Sequence, residues 1–200
     1  LMSPKVVDAF IDSTYEAYKG EFRGEFGRTI PGIFTDEPNF SQLDETASVP
    51  WTERLPAFFN ERNGYDILDA LPSLFYDLGE YMKVRGDFWS AITELFLESF
   101  SKRVYDWCDS NKLKFTGHYL YEDNLTVQTR YIGAAMPHYE YMHVPGIDHL
   151  GRNIDDLITV KQVSSAAHQF GKERVLCETF GCSGWNMSFE DQKWIGDWQY

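Results

Sequence analysis

The stretch GIFTDEP, at Gly32–Pro38, joins a short apolar run to two adjacent carboxylates and a proline. The apolar residues Ile33 and Phe34 predict a short buried strand, and the acidic residues Asp36 and Glu37 predict the turn that ends it. A buried strand therefore carries acidic side chains at its carboxyl-terminal end.

Three more short apolar strands follow along the chain, and helical patterns separate them. Apolar residues recur at helical spacing in the first twenty residues and in 85–107, which predicts an amphipathic helix on each side of the first strand. The other predicted strands are LKFTGH at 113–118, YMHVPGID at 141–148 and ERVLCE at 173–178. Shorter helices are predicted at 126–135, from an Asp155 cap to Gly171, and from Ser188 onward. The stretch that contains Pro50, Pro56 and Pro72 is predicted to be rich in turns.

Helices that alternate with short apolar strands are typical of βα units around a parallel sheet. We therefore predict an α/β fold that forms part of a (β/α)8 barrel, with about four βα units visible in residues 1–200. A full barrel has eight strands and about 250 residues, so we interpret the chain as a fragment of a single catalytic domain whose upstream and downstream strands are missing. An independent four-strand α/β domain is the alternative interpretation.

Polar side chains follow each predicted strand at its carboxyl end. The active site of a (β/α)8 barrel is built from the carboxyl ends of several strands, so these side chains are expected to share one cleft. They are Asp36 and Glu37, then His118, Tyr121 and Glu122, then His143 and Asp148, and finally Glu178. Trp185, which follows the fourth strand, is expected on the wall of the same cleft with His118.

Composition limits the partners of the chain. The 200 residues include 18 Lys and Arg against 31 Asp and Glu, and the net charge of -13 repels phosphate backbones and anionic membrane surfaces. No apolar run approaches the roughly 20 residues of a membrane helix, and the start, LMSPKVVDAF, lacks the basic and apolar regions of a signal peptide. We expect a soluble protein that binds neither nucleic acid nor membrane. Its localisation stays unknown.

Four stretches of the chain carry a resemblance to a known family. They are IPGIFTDEPNF at 30–40, GHYLYEDN at 117–124, VPGID at 144–148 and CETFGCSGWNMSFEDQKWIGDWQY at 177–200. Together they resemble the catalytic barrel of glycoside hydrolase family 106, the α-L-rhamnosidase-type enzymes, and its uncharacterised relatives. The resemblance implies a (β/α)8 barrel that hydrolyses a terminal rhamnoside with inversion, often with a calcium ion near the substrate. The residues by themselves require no cofactor and indicate no particular metal ligands.

Glycoside cleavage needs a carboxylic acid that protonates the leaving oxygen and a second carboxylate that activates water or attacks the sugar. Glu37, Glu122 and Glu178 form the predicted catalytic set, and the resemblance implies that the catalytic pair is roughly 6.5–9.5 Å apart, as in inverting enzymes. Glu178 is the first choice for a catalytic role, because the apolar strand before it predicts a low-dielectric setting that favours a general acid. The residues predicted to bind a carbohydrate substrate are Asp36, His118, Tyr121, His143, Asp148 and Trp185.

Two other functions stay open on the sequence alone. A metal-dependent hydrolase would use imidazole and carboxylate ligands, although the chain has neither an HxH nor an HExxH spacing. Its candidate ligands are His118, His138, His143, His149, Asp148 and Glu178. A non-catalytic carbohydrate-binding protein would keep the aromatic residues without needing paired acids, and acids at the ends of several strands speak against it.

Overall fold

Four parallel strands form the centre of the protein. The structure, a computed structural model, describes residues 1–40 and 48–200. The strands are β1 (Gly32–Asp36), β2 (Lys114–His118), β3 (Val144–His149) and β4 (Leu176–Thr179). They pair in chain order, and each pair is parallel. The predicted mixed α/β architecture is confirmed for these residues, in which the sheet is open and β1 and β4 each have one strand neighbour.

Helices precede, connect and follow the strands. The chain begins with α1 (Pro4–Phe22), and β1 is followed by α2 (Leu55–Asn63), α3 (Ile67–Phe75), α4 (Tyr81–Phe96) and α5 (Lys102–Ser110). After β2 come α6 (Leu125–Ile132) and α7 (Ala135–Glu140), after β3 comes α8 (Leu157–Gln169), and after β4 comes α9 (Phe189–Gln199). A 3-10 turn at Arg23–Glu25 follows α1, and a π-helical turn at Leu97–Ser101 joins α4 to α5. None of the described helices is both long enough and apolar enough to cross a bilayer.

Local sequence signals account for several helix starts. Pro4 occupies the first turn of α1. Backbone N–H groups in a first turn have no partner within the helix, so the missing N–H of proline costs no hydrogen bond there. The Asn124 side chain caps α6 by accepting hydrogen bonds from two backbone N–H groups. Ser188 and Asp191 form a reciprocal capping box at the start of α9, which confirms the helix predicted from Ser188.

Two predictions about the helices were wrong in detail. The stretch 50–72, predicted to be rich in turns, contains α2 and most of α3, because apolar residues such as Phe59 and Ile67 are fully buried and packing outweighs the prolines. The cap of α8 is Asp156 rather than Asp155, since the Asp156 carboxylate accepts from the first backbone N–H groups of the helix.

The two faces of the sheet differ in chemistry. Side chains one residue apart lie on opposite faces, and residues paired in a parallel register share a face. The face toward the helices carries Ile33, Phe115, Ile147 and Cys177, which contribute to the hydrophobic core. The other face carries Phe34, Asp36, His118, Asp148 and Glu178. Phe34 is 46% exposed, so the described helices leave this polar face partly uncovered.

Two glycines allow the backbones of neighbouring strands to approach closely. Gly117 has a φ of 141°, and a Cβ added there would lie 2.1 Å from the carbonyl oxygen of Thr35 on β1. A Cβ added at Gly146 on β3 would lie 2.2 Å from the Gly117 carbonyl oxygen. The close spacing of β1, β2 and β3 beside His118 therefore depends on the absence of side chains at these positions.

Candidate active site

His118, the last residue of β2, lies at the centre of a group of carboxylates. Its side chain is buried, and its Nε2 lies 2.8 Å from Glu178 Oε2 and 3.6 Å from Asp36 Oδ1. The edge of its ring packs against Phe34 on β1, with ring centroids 5.5 Å apart. The carboxyl ends of β1, β2 and β4 thus place two acidic side chains around one imidazole, as their parallel arrangement predicts.

Two further carboxyl groups approach the same imidazole. A Glu37 carboxyl oxygen, a ring nitrogen of His118 and an Asp148 carboxyl oxygen lie within 4.8 Å of one another. Glu37 has a left-handed φ of 48°, which is uncommon for a residue other than glycine, and its backbone N–H donates to the His118 carbonyl. Burial raises the pKa of Glu37, and the nearby His118 opposes this rise while Asp36 and Glu178 add to it.

Asp148 has the most strongly shifted pKa of the acids on the polar face. Burial raises its pKa to about 6; the nearby His118 opposes this rise, and the negative charges of the neighbouring carboxylates add to it. Its Oδ1 atom is buried and finds no hydrogen-bond partner among the described residues. Strand register places Asp148 directly beside Glu178. A buried carboxyl oxygen that lacks a donor is suited to receive one from a substrate.

Glu122 differs from the other acids because the protein engages both of its carboxyl oxygens. Its Oε1 accepts the Tyr119 backbone N–H at 3.0 Å and the Tyr139 hydroxyl at 2.8 Å, and its Oε2 accepts the Asp148 backbone N–H at 3.0 Å. Only 3% of the residue is exposed. Burial raises the pKa of Glu122 to about 7, although these three hydrogen bonds favour the ionised form.

We expect Glu122 to make the protein less stable as the pH rises from about 4.5 to about 7. Burial raises its pKa from 4.5 to about 7, so over this interval the folded state keeps a proton that the unfolded chain releases. The free energy of unfolding therefore falls with increasing pH, by up to about 3 kcal/mol. Glu122→Gln removes this dependence, because glutamine does not titrate.

The measurement for this expectation is the unfolding midpoint of both proteins at several values from pH 4.5 to 7. Burial lowers the pKa of His138 to about 4, so His138 contributes in the opposite direction, with stability that rises from about pH 4 to 6.5. Both proteins retain His138, and the difference between them isolates Glu122. Parallel pH profiles for the two proteins would contradict the expectation.

A cavity of about 330 Å³ opens beside these residues. Of the predicted site residues, Glu37, Tyr121, Glu122 and Asp148 line it. Three loop acids that were not predicted as site residues also line it, namely Asp123, Asp155 and Asp156. For Asp123 the available signal was its position next to Glu122, whereas Asp155 and Asp156 lie in the loop that leads from β3 to α8. No lysine or arginine lines this cavity in the part of the chain that the structure describes.

The structure corrects the placement of His143. The third strand begins at Val144 rather than at 141, so His143 precedes β3 and lies at the amino-terminal edge of the sheet. Its Nδ1 accepts the Phe115 backbone N–H at 3.0 Å, and its ring stacks on Tyr105 at 4.3 Å. These contacts anchor His143 away from the cleft, because the two ends of a short strand lie on opposite edges of the sheet.

Two other expectations about the cleft are not met. The Trp185 side chain, expected on the cleft wall, is fully exposed in the loop between β4 and α9. The side chain of Glu178 is 45% exposed rather than enclosed in an apolar setting, because it lies on the partly uncovered polar face. Tyr121 does lie at the cavity, where its ring packs against Tyr131 at 4.6 Å.

The described residues offer two sets of side chains for a metal ion. One is Asp36, His118 and Glu178, and the other is Glu37, His118 and Asp148, each with ligand atoms within 4.8 Å of one another. Calcium prefers six to eight oxygen ligands, whereas each set combines one imidazole with two carboxylates. The donor chemistry therefore does not fit the calcium ion that the resemblance implies, and is closer to that of a zinc or manganese site.

No protein-family model matches the chain, and a curated protein and a solved structure are among the proteins similar to it. A protein of Formosa agariphila named "Putative beta-glucuronidase" is 26% identical over 202 residues, which cover 98% of this chain and 16% of the relative. A solved rhamnosidase from Novosphingobium sp. PP1Y has a TM-score of 0.78 at 20% identity, over 99% of this chain and 19% of that one. The chain thus spans less than a fifth of the length of either protein, and the structural likeness shows the fold.

Proposed function

We propose that the chain is part of the catalytic (β/α)8 barrel of a glycoside hydrolase, and that its substrate is a terminal α-L-rhamnoside. The observation that carries the proposal is the approach of Glu37 and Glu178 to one buried imidazole, His118, at the carboxyl ends of parallel strands. Two carboxyl groups in such a position are the minimum requirement for acid and base catalysis of glycoside cleavage. The names of both similar proteins are glycosidase names, which supports the same class.

The open sheet supports the barrel part of the proposal. Within the described residues, β1 and β4 are edge strands, and the polar face between them is partly uncovered. Exposed strand edges favour unwanted pairing with other chains, and closure into a barrel removes them. Further strands of the same domain would pair with β1 and β4 and would enclose the carboxylates around His118.

In the proposed mechanism, Glu37 is the general acid and Glu178 is the general base. Burial raises the pKa of Glu37, which favours the protonated form that the leaving oxygen needs. Glu178 is half exposed and can reach a water molecule, while the hydrogen bond to His118 orients its carboxylate. Glu178 would remove a proton from water as the water oxygen attacks the anomeric carbon, and Glu37 would give its proton to the leaving oxygen. The product would have the inverted configuration.

Charge in the cleft favours a neutral sugar over a uronate. The cavity is lined by carboxylates that include Asp123, Asp148 and Asp155, and no described lysine or arginine lines it. The carboxylate of a glucuronide would lie among like charges without a cationic partner, which costs binding energy. Rhamnose carries no charge, so this observation separates the two substrates that the names of the similar proteins suggest.

The test is hydrolysis of a panel of aryl glycosides by the intact protein. We expect turnover of the aryl α-L-rhamnoside, little or no turnover of the β-D-glucuronide, and first release of the inverted anomer in the NMR spectrum. Faster turnover of the glucuronide would contradict the assignment of the sugar, and release of the retained anomer would contradict the inverting mechanism. Binding of rhamnose without hydrolysis would favour a non-catalytic carbohydrate-binding protein.

A metal-dependent hydrolase is the second candidate function. The observation that favours it is the convergence of His118 with two pairs of carboxylates at distances suitable for metal ligands. Loss of activity on chelation, with recovery on adding zinc or manganese, would favour this candidate over acid and base catalysis. Activity that persists through exhaustive chelation would rule it out.

A further inference from the structure

The Glu122 carboxylate joins the carboxyl ends of β2 and β3. Paired residues in the ladder between these strands end at Gly117 and Pro145. Beyond that point, Glu122 accepts the backbone N–H of Tyr119, which follows β2, and the backbone N–H of Asp148 on β3. The side chain thus continues the connection between the strands where direct pairing has stopped.

Hydrogen bonds hold Glu122 in place from several sides. The Tyr139 hydroxyl donates a third hydrogen bond to the Glu122 carboxylate, and only 3% of Glu122 is exposed. The Glu122 backbone carbonyl accepts the side-chain amides of Gln128, at 3.1 Å, and Gln162, at 2.9 Å. A carboxylate held at both oxygens, on a main chain held from two helices, is built to stay in place.

The Asp148 side chain differs from that of Glu122 because the protein does not engage both of its carboxyl oxygens. Its backbone N–H donates to Glu122. Its carboxyl group faces Glu37 and His118, with one ligand atom of each within 4.8 Å of the others. Its buried Oδ1 has no hydrogen-bond partner among the described residues. A hydroxyl group of a bound sugar would supply the donor that this oxygen lacks.

We propose that Asp148 binds a sugar hydroxyl in the cleft, and that Glu122 is a positioning residue that acts through Asp148 by holding its backbone N–H. This inference rests on the glycoside hydrolase function proposed above. Glu122 therefore leaves the catalytic set that the sequence predicted, and Asp148 becomes the third carboxyl group that contacts substrate beside Glu37 and Glu178.

The test is a double-mutant cycle in the intact protein, with kcat and KM measured on 4-nitrophenyl α-L-rhamnoside. Asp148→Asn is expected to lower kcat/KM by about 10- to 100-fold, as for the loss of a hydrogen bond to a charged group. Glu122→Gln places an amide NH2 against a backbone N–H and is expected to cause a loss of similar size. In the Asp148→Asn background, Glu122→Gln is expected to change kcat/KM by less than about threefold, because the two residues act as one unit.

The division of the loss between KM and kcat distinguishes positioning from catalysis. We expect both single variants to raise KM, since a hydrogen bond to a substrate hydroxyl exists before the reaction, whereas removal of a catalytic carboxyl group lowers kcat. Glu61→Gln and Asp106→Asn, on exposed positions of α2 and α5, are matched controls and should leave both constants unchanged. Losses that multiply in the double variant, or an unchanged Asp148→Asn protein, would overturn the proposal.

Two further measurements keep the outcome decisive. If Glu122→Gln does not fold, Tyr139→Phe takes its place in the cycle, because it removes one donor to Glu122 and keeps both backbone contacts. If the unsubstituted protein hydrolyses no glycoside, the proposed function fails, and the same cycle is measured as the Kd for L-rhamnose by calorimetry. A weaker Kd in both single variants with no further loss in the double variant would still support the inference. Equal Kd values for L-rhamnose in the unsubstituted protein and the single variants would overturn it. So would the absence of rhamnose binding by the unsubstituted protein.

Discussion

Replacing Glu37 by Gln in the intact protein is expected to lower turnover by about 10²–10⁴-fold on rhamnosides with poor leaving groups. A poor leaving group needs a proton as its bond to the sugar breaks, and the amide of glutamine cannot supply one. An activated aryl rhamnoside departs without that proton, so its turnover should fall much less. The measurement is kcat for a series of aryl rhamnosides of increasing leaving-group pKa in both proteins.

Glu178→Gln is the matched comparison for Glu37→Gln. If Glu178 is the base that activates water, its loss should slow good and poor leaving groups by similar factors, and added azide should restore turnover by replacing water as nucleophile. The reverse pattern, with a leaving-group dependence only in Glu178→Gln, would exchange the two roles. Near-normal turnover of both variants on all substrates would remove both residues from the catalytic pair.

Gly117→Ala is expected to destabilise the domain by about 3 kcal/mol or more, which is at the high end for a single substitution. The new Cβ would lie 2.1 Å from the Thr35 carbonyl oxygen, and the φ of 141° disfavours any residue with a side chain. β1 and β2 would have to separate next to His118. The measurement is the thermal unfolding midpoint of the intact protein, with the yield of folded protein as a second readout.

Gly86→Ala is the control for this substitution. Gly86 lies inside α4, and a Cβ added there would meet no atom within 4 Å. Alanine favours a helix more than glycine does, so the control is expected to keep or raise the midpoint, by up to about 1 kcal/mol in stability. Equal midpoints for Gly117→Ala and Gly86→Ala would show that the strands tolerate a wider spacing than the structure has.

The sequence was sufficient to predict the parallel βα order and the edge of the sheet that carries the acids. Apolar runs of strand length that alternate with helical patterns leave few other architectures. Since parallel strands end at the same edge, acids that follow such runs must come together, and Asp36, Glu37, Asp148 and Glu178 do so around His118. Local periodicity could not predict α2 and α3, since their prolines suggest turns and their stability comes from tertiary packing.

The chemical environment of each acid was decided by the tertiary structure. Glu122 and Glu178 both follow apolar strands in the sequence, yet Glu122 is buried with three donors and Glu178 is half exposed beside His118. The donors to Glu122 include Tyr139 and the Asp148 backbone, which are 17 and 26 positions away in the chain.

The sequence by itself thus determined which residue types reach the carboxyl edge of the sheet, because strand period and chain direction are local properties. Only the tertiary structure decided which of those carboxyl groups is enclosed, which is free to meet a substrate, and that His143 lies at the opposite edge. Burial and hydrogen bonding depend on partners that are distant in the chain, and the residue at which β3 begins decides whether His143 belongs to the strand or precedes it at the amino-terminal edge.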